Sequence, residues 1–358
     1  MKKFNLAFIL LSLPISLVFA QSQVTVYGKL EGDFLVSKVK GGSTKFQTTS
    51  GFSTGSRWGI AGKEELGDGY AVGFRLEQGF DLNNGSEANS WKKDGKTVSC
   101  AFSRDSRLYV DTPYGHIGFG RFSSLGHGTG AYHLVYGWAF GAGFTSGSWL
   151  SFGRYVGRVN NGIVYTSPIM NGLKLEAMYS NGVTGDEYKW SENAHYYGLG
   201  AKYTHGSLLI ATYFEESDNK EKGVRNKPMY VYNLGLEYRV GRFVPMLAYQ
   251  YNRQDQEQEN HVIGLSSKIK MLGGEFKVGS RVLLGKSKKA ETIKKYGEKD
   301  RRAWSVNVGY LYPVSKRTEV VVYTGYADGS KLLGYTEKGT TNTSFNGWQT
   351  ALGLRTVF

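Results

Sequence analysis

Apolar and polar residues alternate with a period of two along many segments of about ten residues in this chain. In the first such segment, one face carries Val24, Val26, Leu30 and Phe34. The opposite face of the same segment carries Thr25, Tyr27, Lys29, Glu31 and Asp33. Because successive side chains of a β-strand point to opposite faces, this period predicts strands rather than helices.

The connections between these segments are of two kinds. Turns of two to four residues, such as Leu66-Gly67-Asp68-Gly69, alternate with long polar stretches, such as residues 83–100 and 182–193. Short turns at one end of the strands and long loops at the other are typical of transmembrane β-barrels. The segments predict sixteen strands, enough to leave an aqueous channel, with the register of residues 262–278 left open.

Periodicity alone does not say which face of a strand points inward. A soluble sandwich or barrel buries its apolar face, whereas a membrane barrel turns that face outward. Aromatic residues recur near the strand ends, at Tyr70, Phe80, Tyr238, Phe243, Tyr310 and Tyr312. Membrane barrels carry aromatic girdles at these levels, so the pattern favours a membrane barrel over the soluble all-β alternative.

Composition supports an all-β chain. Of 358 residues, 49 are Gly and 14% are aromatic, and both classes are poor helix formers. The single cysteine, Cys100, excludes an internal disulfide and any multi-cysteine metal site built by this chain alone. The formal charge is +14, but we interpret the basic run at 286–295 as a solvated surface loop and expect no nucleic-acid partner.

Residues 1–20 have the organisation of a secretory signal peptide. Lys2 and Lys3 precede a mostly apolar stretch from Phe4 to Phe19, and Val18 and Ala20 occupy the −3 and −1 positions before the expected cleavage point. The apolar stretch is short for a membrane-spanning helix, so an uncleaved anchor is the less favoured alternative. We therefore predict an exported protein whose mature chain is residues 21–358, with a formal charge of +12.

Several motifs resemble those of a known family. Residues 56–69 read SRWGIAGKEELGDG, which resembles the signature of the Gram-negative general porins, in particular their neisserial and betaproteobacterial branch. Further similar motifs are VYGK at 26–29, GFGR at 118–121, RVNNGIVYTSP at 158–168, YPVSKRT at 312–318 and the terminal Phe358. The resemblance implies a sixteen-stranded antiparallel transmembrane barrel, a homotrimer with three pores, and a third extracellular loop folded into each barrel.

The segment Leu125–Tyr155 is predicted to be this pore-constricting third loop, since it is too long for a simple hairpin connection. It departs from the family pattern, in which loop carboxylates face a row of arginines, because no charged residue occurs between Phe122 and Gly153. The electric field at the constriction is therefore expected to come mainly from the barrel wall. Candidate loop residues at the pore are Tyr132, His133, Tyr136 and Trp138.

The resemblance also indicates which basic wall residues line the constriction. Lys29, Arg57 and Arg158 match positions where general porins carry basic wall residues, and Arg75 and Arg121 are further candidates. The alternative for each arginine is a solvated loop position or an ion pair with a wall acid such as Glu31, Asp33 or Glu77.

Two arginines compete for one position on the fourth predicted strand. Counting along the family motif favours Arg104, whereas an outward orientation of Leu108 and Val110 favours Arg107. Both are retained as candidates for the basic wall of the constriction.

Patterns that carry catalytic or metal chemistry are missing from the sequence. No Gly-x-Ser-x-Gly motif occurs, and His116, His127 and His133 have spacings that match no standard metal site. We expect no enzyme activity, no cofactor and no metal.

These observations together predict an outer-membrane porin of a Gram-negative bacterium. It would form a water-filled channel for passive diffusion of small hydrophilic solutes and ions, with a modest anion preference set by the basic wall. One alternative is a substrate-selective channel whose aromatic third loop stacks on solutes; another is a non-conducting barrel adhesin. The expected partners are two further copies of the chain and outer-membrane lipid, including lipopolysaccharide.

Overall fold

The computed structural model of the chain describes residues 23–40, 42–88, 91–93, 96–98, 100–140, 153–154, 156–182, 190, 193–218, 228–330 and 346–358. The predicted signal peptide, residues 1–20, lies outside the described residues. Across the described ranges, no helix is long and apolar enough to cross a membrane.

Within these ranges the chain forms twenty strands and one short helix. In chain order they are β1 (Gln23–Val39), β2 (Lys45–Ser50), β3 (Arg57–Gly67), β4 (Tyr70–Phe80), β5 (Glu87–Ala88), β6 (Trp91–Lys93), β7 (Lys96–Val98), β8 (Asp105–Thr112), β9 (Gly115–Ser123), β10 (Arg158–Thr166), β11 (Leu173–Asn181), β12 (His195–His205), β13 (Leu208–Ser217), β14 (Met229–Tyr238), β15 (Phe243–Gln254), β16 (Gln258–Met271), β17 (Gly274–Ser287), α1 (Ala290–Tyr296), β18 (Asp300–Pro313), β19 (Thr318–Gly329) and β20 (Gly347–Val357).

Sixteen of these strands close into one antiparallel barrel. Of the other four, β2 pairs with β1 beyond β3 and continues the same wall position, and β5, β6 and β7 are short strands in the connections. Neighbouring wall strands pair in chain order. The barrel closes where β1 pairs with β20, from Lys29 opposite Val357 to Val39 opposite Gly347. The predicted sixteen-stranded antiparallel barrel is confirmed.

The faces of the wall strands follow the alternation of the sequence. In β1, Val24 is 65% exposed on the outside of the barrel, whereas Glu31 is fully buried on the inside. In β14, Tyr232 faces outward and Asn233 is buried inside. Apolar side chains therefore point away from the barrel interior, which excludes the soluble all-β alternative.

A tight turn resolves the register that the sequence left open at residues 262–278. Leu272 and Gly273 connect β16 to β17, and their φ angles of 51° and 76° are those of a two-residue hairpin turn. Val262 is consequently buried on the inner face of β16, and Val278 is exposed on the outer face of β17.

The third loop, which connects β9 to β10, lies inside the barrel against its inner wall. Its described residues begin next to β9 and extend to β19, where the ring centroids of Phe140 and Tyr323 are 5.9 Å apart. Its most deeply buried apolar side chains are Leu125, Tyr132, Leu134, Val135, Trp138, Ala139 and Phe140. The two larger hydrophobic clusters of the described residues are thus formed between this loop and the wall, and a smaller one is formed by wall residues of β15 to β18.

Wall side chains bind the backbone of the loop. Among the described residues, five of them accept hydrogen bonds from loop N–H groups: Tyr196 from Leu125 at 3.2 Å, Glu215 from Gly126 at 2.7 Å, Glu237 from Gly137 at 3.0 Å, Ser266 from Ala139 at 3.0 Å, and Gln250 from Arg154 at 2.7 Å. Buried N–H groups that lack an acceptor are costly, so these acceptors determine the path of the loop.

Glycines of the wall allow the loop to approach closely. A Cβ atom on Gly200 of β12 would lie 2.3 Å from Cδ1 of Leu134. A Cβ atom on Gly235 of β14 would lie 2.3 Å from the carbonyl oxygen of Tyr136. A side chain at either position would push the loop away from the wall.

We expect Gly235→Ala to displace the third loop. The atom that its Cβ meets is a backbone oxygen, so no side-chain rotation relieves the clash. Folding stability should fall by about 1–3 kcal/mol, the usual cost of overpacking, and single-channel currents in a planar bilayer should become noisier. Gly32→Ala is the matched control, because the new Cβ on the outer face of β1 meets only Leu82, at 3.9 Å. Wild-type stability and currents in Gly235→Ala would contradict this account of the loop.

Candidate functional site

Five arginines converge inside the barrel beside the third loop. Arg57 begins β3, Arg75 lies in β4, Arg104 precedes β8, Arg107 lies in β8, and Arg158 begins β10. The side-chain Nε of Arg158 donates to the carbonyl oxygen of Arg104 at 3.0 Å, which joins β10 to the others. These five residues are called the basic cluster below.

Glu77 of β4 is the centre of the basic cluster. Its Oε1 lies 2.6 Å from Nε of Arg104, and its Oε2 lies 2.8 Å from Nη2 of Arg75 and 3.8 Å from Nε of Arg57. The hydroxyl of Tyr27 also donates to Oε2, at 3.1 Å. One buried carboxylate is therefore shared by three guanidinium groups.

A second acid lies beside the same arginines. Oδ2 of Asp105 is 3.5 Å from Nε of Arg75. The basic cluster and these two acids, Glu77 and Asp105, together carry five positive and two negative formal charges, a surplus of three. Three of the arginines thus form the ion pairs with Glu77 that the sequence left open as an alternative. The five arginines still outnumber the two acids, so this side of the lumen remains positive.

The structure brings both of the competing arginines inside. Arg107 has the opposite parity to the exposed Leu108, and its guanidinium lies 4.6 Å from the ring centroid of Tyr132 in the third loop. Arg104 is buried against Glu77. Both arginines can point inward because Arg104 lies before β8 begins, and side chains outside a strand do not have to alternate between its two faces.

Lys29 and Arg121 take different positions. Lys29 lies directly opposite Arg57 in the β1–β3 pairing, on the inner face. Arg121 shares the parity of the exposed Phe119, and its guanidinium donates to the Ser103 carbonyl oxygen at 2.7 Å and to Oδ1 of Asn160. Lys29 is therefore next to the basic cluster, whereas Arg121 is bonded to the segment before β8 and to β10.

The four candidate loop residues divide into two pairs. Tyr132 and Trp138 are buried, the first with its hydroxyl 2.7 Å from Nε2 of His116 and the second beneath the guanidinium of Arg281. His133 and Tyr136 stack on each other, with ring centroids 5.4 Å apart, and are only half-buried. Of the four, only His133 and Tyr136 offer accessible ring surface.

Two histidines of the third loop are held in the neutral form. Burial, with Arg158 and Arg104 nearby, lowers the pKa of His127 to about 3. Burial, with Lys174 and Lys202 nearby, lowers the pKa of His133 to about 4. The histidines of this loop therefore add no positive charge at pH 7.

Sequence reasoning did not identify the wall residues that hold the loop. Arg281 of β17 is buried, and its guanidinium lies 3.7 Å from the ring centroid of Trp138. Glu215 of β13 is also fully buried. Their inward parity was readable from the alternation, but nothing in the sequence indicates that a loop would cover them.

Comparisons with known proteins agree with this architecture. A family model described as Gram-negative porin matches residues 11–332. An outer membrane porin of Bordetella pertussis is 25% identical over an alignment of 395 residues that covers 93% of this chain and 96% of the relative. Outer membrane porin protein 32 of Delftia acidovorans is 26% identical over 307 residues, covering 84% of this chain and 82% of the relative.

Solved structures share the fold. An anion-selective porin from Comamonas acidovorans superposes with a TM-score of 0.65 at 19% identity, covering 94% of this chain and all of that one. The trimer form of OmpT from Vibrio cholerae superposes with a TM-score of 0.68 at 16% identity, covering 94% of this chain and 99% of that one.

The family match spans most of the sequence, and the closed sixteen-stranded barrel with its apolar exterior is the fold that it requires. The chain belongs to the Gram-negative porin family and forms a passive diffusion channel in the outer membrane.

Proposed function

We propose that this channel prefers anions and that the basic cluster, together with Lys29, sets the preference. The observation that carries the proposal is the surplus of three positive charges beside a third loop without acidic residues. The acids beneath that loop, Glu215 and Glu237, accept hydrogen bonds from its backbone. Because the loop contains no Asp or Glu, no carboxylate of the loop opposes the arginines across the lumen.

The proposed mechanism is electrostatic and needs no binding step. Positive side chains around an aqueous neck raise the local concentration of anions and lower that of cations. Glu77 offsets part of this field because it lies within 4 Å of three of the five arginines. The preference should consequently be modest, so that both neutral solutes and cations still pass.

The anion preference is tested by neutralising two arginines. The double variant Arg57→Gln/Arg158→Gln removes two of the three surplus charges, so the reversal potential under a salt gradient should move toward the cation value. Arg302→Gln is the matched control, because Arg302 is exposed on the outer side of β18 and the substitution changes the same type of charge. A reversal potential unchanged in the double variant would show that the basic cluster does not select ions.

Burial of the loop aromatics weighs against the substrate-selective alternative. Tyr132, Trp138 and Phe140 pack against the wall and leave little ring surface for a solute to stack on. Saturable block of the current by one class of solute would support that alternative. A complete lack of conductance would instead support the adhesin alternative.

The two histidines of the third loop, His127 and His133, predict an effect of acid on this loop. Their pKa values in the folded protein, about 3 and about 4, lie below the ordinary value of about 6.5. The undocked loop therefore binds more protons than the docked loop, and the stability of docking is full above about pH 6.5 and declines as the pH falls toward 4. Current noise should rise over this interval.

The variant His127→Asn/His133→Asn should show less of this increase in noise. His205→Asn, at an exposed position in β12, is the control and should behave as the wild type. An identical rise in noise in the double variant and in the wild type would assign the acid effect to other groups.

We also propose that three copies associate, with outer-membrane lipid, including lipopolysaccharide, around the assembly. Support comes from the similarity in fold to OmpT, which was solved in a trimer form. It also comes from apolar side chains that point outward where β1 pairs with β20, such as Phe34, Leu352 and Leu354. Chemical cross-linking of the protein in outer-membrane vesicles should give a trimer band that survives heating in detergent, whereas heating without the cross-linker should give monomer. A monomer band alone would contradict the trimer.

A further inference from the structure

Six residues between β2 and β3 leave the barrel wall. β1 pairs with β2 as far as Gly32 opposite Ser50, and with β3 from Lys29 opposite Arg57. Residues 30 and 31 of β1 therefore face all six residues of the segment 51–56, which we call the inner segment. An ordinary bulge accommodates one extra residue, so a surplus of four has to depart from the sheet.

The inner segment turns into the lumen. Its side chains Ser53 and Ser56 are buried. The ring centroid of Phe52 lies 5.7 Å from that of Tyr323, an inner-face residue of β19 that also contacts Phe140 of the third loop. The inner segment therefore packs against the same apolar cluster as Phe140 of the third loop.

Two buried acids of β1 hold the inner segment in place. The carboxylate of Glu31 accepts hydrogen bonds from the N–H of Ser53 at 2.5 Å and from its hydroxyl at 2.7 Å. Oδ2 of Asp33 accepts a hydrogen bond from the N–H of Phe52 at 3.0 Å. Arg355 of β20 also donates to the Ser53 hydroxyl, at 3.1 Å. These carboxylates are thus engaged with the segment's backbone and do not face open solution.

The second half of the inner segment supports the basic cluster. Nη1 of Arg57 donates to the carbonyl oxygen of Gly55 at 2.8 Å and to the hydroxyl of Thr54 at 3.3 Å. A Cβ atom on Gly55 would lie 3.6 Å from Nη1 of Arg104. Two arginines of the cluster therefore lie against this stretch of backbone.

We infer that the inner segment is a second pore-lining element, which positions Arg57 and supports the apolar cluster around Phe140 of the third loop. It affects ion preference through Arg57, and that part rests on the proposed function. It affects conductance because it occupies the lumen and because Phe52 packs on Tyr323, which in turn contacts Phe140. The effect on conductance is independent of any anion preference.

A four-residue deletion tests the inference. Removing Phe52–Gly55 leaves Gly51 and Ser56 opposite residues 30 and 31, so that the β1 ladder can run without interruption. The deleted residues are uncharged. We expect higher single-channel conductance, because the lumen widens. We also expect the anion-to-cation permeability ratio to fall by about twofold, because Arg57 loses two partners and the carboxylates of Glu31 and Asp33 become accessible.

The control is deletion of Gly42 and Ser43, two uncharged residues between β1 and β2 outside the inner segment; it should keep wild-type conductance and ion preference. A folded Phe52–Gly55 deletion with wild-type values for both quantities would overturn the inference. If that deletion does not fold, Phe52→Ala decides the matter. It should change the conductance but not the ion preference, since the partners of Arg57 remain, and wild-type conductance in Phe52→Ala would likewise overturn the inference.

The same recordings separate the two proposals. A wild-type channel without anion preference would refute the proposed function. A rise in conductance on deletion would still support the inner segment as a pore-lining element.

Discussion

The docking of the third loop on the inner wall is the interaction on which the rest of this structure depends. A polypeptide segment inside a barrel carries backbone N–H groups that need acceptors. Glu215 and Glu237 supply them here, and glycines such as Gly235 let the two backbones approach. Because wall acids bind the loop, the loop needs no charged residues of its own.

This arrangement separates the two sides of the lumen chemically. The uncharged third loop packs against the inner wall from β10 as far as β19, and the basic cluster lies on β3, β4, β8 and β10 together with the residue before β8. A positive surplus on one side, without loop carboxylates on the other, is the basis of the proposed anion preference.

The sequence was sufficient to predict what depends on local periodicity. Alternation placed Val24 outside and Glu31 inside, and the barrel followed from repeating that pattern between short turns. Alternation stops applying outside regular strands, which is why Arg104 and Arg107 looked like competitors. The burial of Trp138 depends on contacts between parts of the chain that are far apart in sequence, and no local pattern encodes them.

The inner segment shows the same limit. No local pattern distinguishes residues 51–56, and their position follows from where β1 exchanges one partner strand for another. Only the register of three strands reveals that four residues are in excess.

The sharing of Glu77 has a consequence for how the channel tolerates mutation. Three guanidinium groups surround one carboxylate, so when one arginine is lost, two remain to neutralise and orient Glu77. The loss of one arginine therefore leaves Glu77 in place but lowers the net positive charge of the site by one. The structural effects of single substitutions in the cluster are therefore not additive, because the remaining arginines still hold the same carboxylate.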